Sequence, residues 1–433
     1  MKIIAIIAAV AVTTAGVAAV LYIMMQDDPA PNYDDRGRLM IFGNANGDDY
    51  LDDNDITYLE AIIGGDVAPT PLADANQDGA VDEKDIDFVR KMIENSQKIK
   101  DGGTPAKMEV FYLYPYAGDF FVGSFMYPLD TICVVGTNVL ATAKLVGAAD
   151  KIVCRCGGTV DATLYSDIIP KTAISDSVFN ATFEQVTQFI SENGMFDAII
   201  TLDSASYLQN QKQFEDIGIN VIRIAAADGA ESLAGALTIG FMLGLESESQ
   251  KYVAFCDTIF DILRDRIDTI PQSERVTTMS VTMTNYVSGL PSDYYNATEL
   301  AGGINLADWT ETTRQFNPVS DGHTWMYDME YQSDFIIHYR TLGYGTVDVN
   351  NVWNTYSPYF KDTNAGKNGN YVIINSSMPV MLRTLYTAHI FYPDIVTYEE
   401  VVELHQFYAD NYLTNLPGYD VETDGAFIIR GPV

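Results

Sequence analysis

An α/β fold is what this sequence predicts: two α/β lobes joined by one long helix, preceded by a small all-α module and an N-terminal transmembrane helix. Three observations carry that expectation. From Met108 onward, short β-rich apolar runs alternate with amphipathic helical stretches. One long helical stretch, about 247–268, interrupts the alternation near its middle. Ahead of both lie two acidic loops of equal length, each running into a short apolar-periodic helix. At 433 residues the chain is too long for one ordinary domain.

The N-terminus opens Met1-Lys2 and continues as an uncharged, mostly apolar run from Ile3 to Met25. At ~1.5 Å per residue that run spans a hydrocarbon core of ~30 Å. A cleaved signal peptide has a shorter apolar region, about 7–15 residues. Residues 1–25 are therefore read as an uncleaved signal anchor, while the small residues Ala15 to Ala19 leave cleavage, and so secretion, open. Lys2 on one side and Asp27-Asp28 on the other place the body of the protein outside the membrane.

The two acidic loops run from Asn44 to Asp55 and from Asp74 to Asp85. Oxygen side chains fall at positions 1, 3, 5, 9 and 12 of each: Asn44, Asn46, Asp48, Asp52 and Asp55, then Asp74, Asn76, Asp78, Asp82 and Asp85. Tyr50 and Ala80, at position 7, offer main-chain carbonyls. This spacing wraps hard oxygen donors around Ca²⁺, so two calcium sites are expected. The first loop departs from the pattern, with neutral Asn44 at position 1 and Asp49 where Gly usually makes the sharp turn. It should bind more weakly, or need the second site to fold first. A tandem pair of such loop-helix units resembles a type I dockerin, the module that plugs into a cohesin on another protein. The resemblance covers about residues 37–98, and the Gly/Pro-containing stretch 99–107 reads as a linker.

A formal net charge of −34 argues against nucleic acid as a partner. The four cysteines are Cys133, Cys154, Cys156 and Cys256. Cys154 and Cys156 lack a zinc spacing. On a strand they share one face, as two half-buried thiols or with one of them bonded to Cys133. Sequons at Asn180, Asn296 and Asn375 fit an exterior location.

Buried strands are expected at 131–135, 151–154, 198–201, 220–224, 276–283, 335–338 and 371–374. Helices are expected at 139–146, 183–192, 247–267, 380–391 and 398–412. Pro379 stands where a helix start tolerates it.

From 108 to 433 this order resembles the helix-hinged substrate-binding proteins of ABC importers, the class that captures iron-siderophores, haem and cobalamin. The matching stretches are Leu129 to Asn138, Ala143 to Val153, Asn180 to Val186, Phe196 to Ile200 and Phe214 to Val221. In the second half, Gly302 to Ala307 and Trp325 to Ile337 repeat the theme. The resemblance implies a bilobal protein with lobe 1 at about 108–228, a connecting helix at about 247–268 and lobe 2 at about 275–433. By position it carries over permease-docking carboxylates to Glu184 and Glu330. It also implies a ligand crevice between the lobes at the strand C-termini. Candidates there are Thr137, Asn138, Arg155, Asp203, Ser204, Tyr286, Trp309, His323, Trp325, His338 and Arg340. The two arginines suit carboxylates or metal-bound oxygens, and the aromatics suit a flat macrocycle or catecholate.

The expected function is a non-enzymatic, cell-surface receptor for a metal chelate, ferric siderophore or corrinoid/haem. It hands that cargo to an ABC permease and attaches to a cohesin-bearing protein through its calcium module. The alternative is a component of a cellulosome-like assembly acting on or binding polysaccharide. Against that alternative, the chain carries no HExxH, no GxSxG and no P-loop.

Overall fold

The computed structural model describes residues 39–116, 119–157, 161–226, 229–290, 292–310, 314–315 and 332–431. The chain divides into two compact units. One runs to Thr159 and resumes over Pro170–Ala254; the other comprises Val160–Ile169 and Phe255–Val433.

The first unit begins with the acidic module, helices α1 (Asp53–Gly64) and α2 (Glu83–Lys100). Each starts in a capping box. Asp52 accepts from the Asn54 N–H while Asp55 accepts from the Asp52 N–H at 2.9 Å. Asp82 and Asp85 repeat the arrangement on α2. Gly43 has a φ of 105°, and a Cβ there would lie 2.7 Å from Met92 Cε and 2.8 Å from Val89 Cγ2. Only glycine lets the loop entry press so closely on α2.

A hairpin follows, β1 (Met108–Tyr116) and β2 (Asp119–Tyr127), paired antiparallel. Then comes a parallel sheet of β3 (Ile132–Val135), β4 (Ile152–Cys156), β5 (Thr172–Ser175), β6 (Ala198–Leu202) and β7 (Asn220–Ile224), in the order β5-β4-β3-β6-β7. The helices of this unit are α3 (Thr137–Leu145), α4 (Phe183–Asn193), α5 (Gln211–Glu215) and α6 (Gly229–Met242). β3, β4, β6 and β7 are mostly apolar and fall where strands were expected, whereas the half-exposed β5 was not expected. Cys133, Cys154 and Cys156 join one core cluster with Val186, Phe189 and Ile199, so the predicted same-face placement holds. All four cysteines are buried, and no disulfide joins them.

Helix α7 (Glu246–Ile262) continues as a π-helical turn over Leu263–Ile267. The division between the units falls inside α7.

In the second unit, β8 (Thr277–Thr282), β10 (Ile304–Asn305), β12 (Phe335–Arg340) and β13 (Tyr371–Asn375) are parallel. The short strands β9 (Tyr286–Val287), β11 (Arg314–Gln315) and β14 (Ile428–Ile429) pair antiparallel at the edges. The helices here are α8 (Asp293–Leu300), α9 (Val349–Tyr356), α10 (Asn364–Lys367), α11 (Val380–Phe391) and α12 (Tyr398–Tyr412). Almost every residue of α11 is buried, the polar Arg383, Thr384 and Thr387 among them. The short segment 161–169 belongs to this unit. Asp161 accepts the Tyr344 N–H at 2.9 Å, and Asn415 donates to the Thr163 carbonyl at 2.8 Å.

Several expectations need amending. The acidic module falls within the first of the two compact units. The 99–107 stretch is pinned, because Asn95 brackets Ala106 by accepting from its N–H and donating to its carbonyl. Gly and Pro there make a turn but leave no free tether. The Asn375 side chain is fully buried and donates to the Gly343 carbonyl at 2.7 Å, so it is closed to glycosylation. The signal anchor at 1–25 lies outside the described residues. Among the described residues no helix is long and apolar enough to cross a membrane.

Candidate functional site

In a parallel sheet the strand C-termini and the loops after them form the natural ligand edge. In the first unit this edge collects Thr137 and Asn138 after β3, Arg155 in β4, and Asp203 and Ser204 after β6. Asn138 is exposed; Arg155 is largely buried and donates to the Cys156 carbonyl at 3.1 Å. Two aromatics missed in the sequence join them. Phe179 and Tyr207 meet edge to face at 5.1 Å, and Phe179 is 47% exposed. Gly136, with a φ of 115°, makes room for Tyr207; a Cβ there would lie 3.0 Å from the ring.

The most important residue missed is Arg223 on β7, which is 1% exposed. Its guanidinium donates to the carbonyls of Leu202, Ser204, Tyr207 and Leu208 at 2.9–3.3 Å, and Nε donates to Gln211 at 2.7 Å. It therefore staples the 202–208 loop to β7. Burial lowers its pKa. The clue in the sequence was a charged residue inside an apolar run, Asn220 to Ile224, where burial demands partners.

In the second unit the corresponding edge follows β8, β12 and β13. Met283 sits at the β8–β9 turn with a φ of 50° and is 61% exposed. A non-glycine residue rarely takes that conformation, and Gln77 and Leu208 share it. Trp309 is 42% exposed, Tyr286 stands in β9, and the Arg340 guanidinium lies 4.5 Å over the Tyr356 ring. His338 is placed differently from the expectation. It is fully buried; Nε2 bonds the Met283 carbonyl at 2.6 Å and Nδ1 bonds the Tyr371 hydroxyl at 2.7 Å. The carbonyl can only accept, so Nε2 carries the proton and Nδ1 accepts from Tyr371. Burial holds the imidazole neutral, down to about 3. His338 thus fixes the Met283 turn and has no nitrogen left for cargo. His323, Trp325 and Glu330 lie outside the described residues. Glu184 is exposed in the first turn of α4, as docking requires.

In the acidic loops, Asp55 accepts from the Asn46 and Asp52 N–H groups, and Asp85 accepts from those of Asn76 and Asp82. The position-12 carboxylate therefore closes both loops in the same way. Burial, then the Asp48 and Asp52 charges, push Asp55 up to about 7 despite those hydrogen bonds. Burial also raises Asp74 and Asp85. The loops differ where the sequence differs. Gln77 and Gly79 take positive φ in the second loop, whereas in the first only Gly47 does.

Among the described residues, no three His, Cys, Asp or Glu side chains gather tightly enough to hold a metal. The Asp78 carboxylate turns to Lys84 Nζ at 2.8 Å, which lowers its pKa. Main-chain and amide oxygens must therefore supply part of any donor set. Asn44 fits that requirement. It is fully buried, its amide nitrogen donates to the Leu39 and Asp48 carbonyls, and its Oδ1 has no partner. An orphaned acceptor at position 1, in the same loop as Asp55, whose carboxyl burial raises, suits a hard cation.

No family model matches the chain. No curated protein matches it either. Solved structures do. A periplasmic solute binding protein from Veillonella parvula matches with a TM-score of 0.54 at 16% identity, covering 72% of this chain and 96% of its own. An ABC transporter solute binding protein from Sulfurospirillum deleyianum matches with a TM-score of 0.55 at 12% identity, covering 72% and 98%. The molybdate periplasmic binding protein of Haemophilus influenzae matches with a TM-score of 0.53 at 14% identity, covering 70% and 96%. About seven tenths of the chain thus has the fold of the periplasmic solute-binding proteins of ABC transporters.

Proposed function

We propose that this protein is an extracytoplasmic receptor that captures a metal chelate, ferric siderophore or corrinoid/haem, and delivers it to an ABC importer. The observation that carries the reading is the pair of strand C-terminal edges. The first carries the Phe179–Tyr207 aromatic pair, and the second carries the Arg340 guanidinium over the Tyr356 ring. Such edges suit a flat or aromatic chelate bearing carboxylates or metal-bound oxygens. Binding and release need no covalent chemistry, and no enzymatic activity is assigned. Residues 1–25 would anchor the protein, and the acidic module would bind calcium and engage a cohesin-bearing partner.

Native mass spectrometry of protein taken from its own organism tests the reading. It should find one co-purified chelate and bound calcium. Glycan mass at the cargo position, with hydrolysis of a polysaccharide panel, would favour the carbohydrate alternative instead.

Glu184 offers a separate check. Glu184→Ala should leave cargo affinity within about twofold, because an exposed carboxylate contributes only ~0–1 kcal/mol. Permease-dependent uptake in reconstituted vesicles should fall, since such charges steer encounter. Unchanged uptake would remove Glu184 from the docking face.

A further inference from the structure

The acidic module is joined to the hairpin of its own chain. Phe42 N–H donates to the Phe111 carbonyl at 3.0 Å, Leu113 N–H donates to Met40 at 2.9 Å, and Ile41 bridges Tyr112. Phe42, Leu72 and Leu113 form one buried cluster. Phe42 lies two residues before the first loop, and Leu72 two before the second, so the entries to both loops abut β1. The later part of the first loop lines a cavity of about 210 Å³ with Lys100, Phe241 and Glu246. Both halves of that loop therefore rest against the rest of the unit.

From β1 the contacts continue to the ligand edge. Tyr112 is 2% exposed, and its hydroxyl accepts the Arg223 N–H at 3.2 Å. The Tyr116 ring lies 4.3 Å beneath the Arg223 guanidinium. That guanidinium ties the four carbonyls of the 202–208 loop described above. Loop entry, β1, the two tyrosines, Arg223 and the 202–208 loop are thus one contiguous set of packed groups.

We propose that the module is a calcium-operated brace on the ligand edge, with Tyr112, Tyr116 and Arg223 as positioning residues that pass its order to the 202–208 loop. The proposal rests on the calcium reading given under Proposed function. With calcium bound, the loop entries are fixed, β1 is held, and the cation–π seat under Arg223 is complete. Without calcium, the loop entries loosen, and the hairpin is the first element to feel it.

Hydrogen exchange on the full chain, with calcium and with a calcium chelator, tests this without any cargo. Chelation should speed exchange at the amides of 203–208 about tenfold or more. The 371–375 amides of the second unit should stay unchanged. Asp85→Asn in calcium should reproduce the effect of the chelator. Tyr116→Leu should keep calcium protection of the 44–55 amides while removing the calcium response at 203–208. Unchanged exchange at 203–208 on chelation overturns the proposal, as does a calcium response that survives in Tyr116→Leu. Failure of the full chain to take up calcium overturns it as well. A flat cargo titration alongside the expected exchange pattern would sink the receptor reading and leave the brace standing.

Discussion

Replacing Arg223 with Met should destabilise the first unit by about 3–5 kcal/mol, the largest single effect expected in this protein. The substitution keeps the length of the side chain and removes its donors. Four carbonyls, those of Leu202, Ser204, Tyr207 and Leu208, then lose a charged donor in a site that is almost fully closed to water. The penalty is the desolvation of acceptors left unpaired more than the loss of a charge. Arg223→Lys should recover only part of it, because one ammonium cannot reach what a planar fork reaches. Denaturant unfolding monitored by far-UV circular dichroism reads the effect. A loss below about 1 kcal/mol for Arg223→Met would show that the loop is held by other contacts.

Acid should destabilise the second unit through two imidazoles. His338 and His405 are both buried and held neutral, each down to about 3 from 6.5. His405 bonds the Tyr344 hydroxyl through Nε2 and the Tyr386 hydroxyl through Nδ1, each at 2.9 Å. The folded state excludes a proton that the unfolded state accepts. Stability from these groups is therefore complete above the unfolded value and is lost as pH falls toward the folded value. Each contributes a slope of up to about 1.4 kcal/mol per pH unit in that window. Together they should remove roughly 3 kcal/mol between pH 6.5 and 5. His405→Gln lowers stability at neutral pH, yet its loss between those two pH values should be about half that of wild type. An unchanged slope would show that carboxylate protonation, and not the imidazoles, sets the acid response.

The acidic loops carry a smaller expected effect. Asp78→Ala with Asp85→Ala should abolish any calcium-dependent gain in stability of the full chain. The same thermal midpoint for wild type with and without chelator would contradict the calcium reading.

Much of the fold was legible because it is written in local pattern. Strands β3, β4, β6, β7, β12 and β13 are short, mostly apolar runs, and α12 begins at its Thr397 cap. The β1–β2 hairpin was missed because its aromatics do not alternate cleanly between faces; the burial of β1 follows no period of two. The 161–169 segment was missed for a different reason. Its membership of the second unit is set by Tyr344 and Asn415, far away in sequence, and leaves no local mark. In the first unit, Thr137, Asn138, Asp203 and Ser204 stand after the strand C-termini, where the topology suggested them. His338 was misassigned because a histidine near a strand end looks the same whether it faces cargo or core. Its partners, the Met283 carbonyl and the Tyr371 hydroxyl, come from neighbouring strands and become visible only in three dimensions. The acidic loops show the converse. Their spacing was plain in the sequence, and the shared closure by Asp55 and Asp85 follows from it. Their seat on the hairpin of the same chain does not.

The receptor reading is tested most directly by titrating the purified full chain, in calcium buffer, with ferric siderophores, haemin and cobalamins while following tryptophan fluorescence. One of these chelates should quench the signal saturably with one-to-one stoichiometry, and Arg340→Ala should weaken that binding at least about tenfold. Flat titrations across the whole set would contradict it.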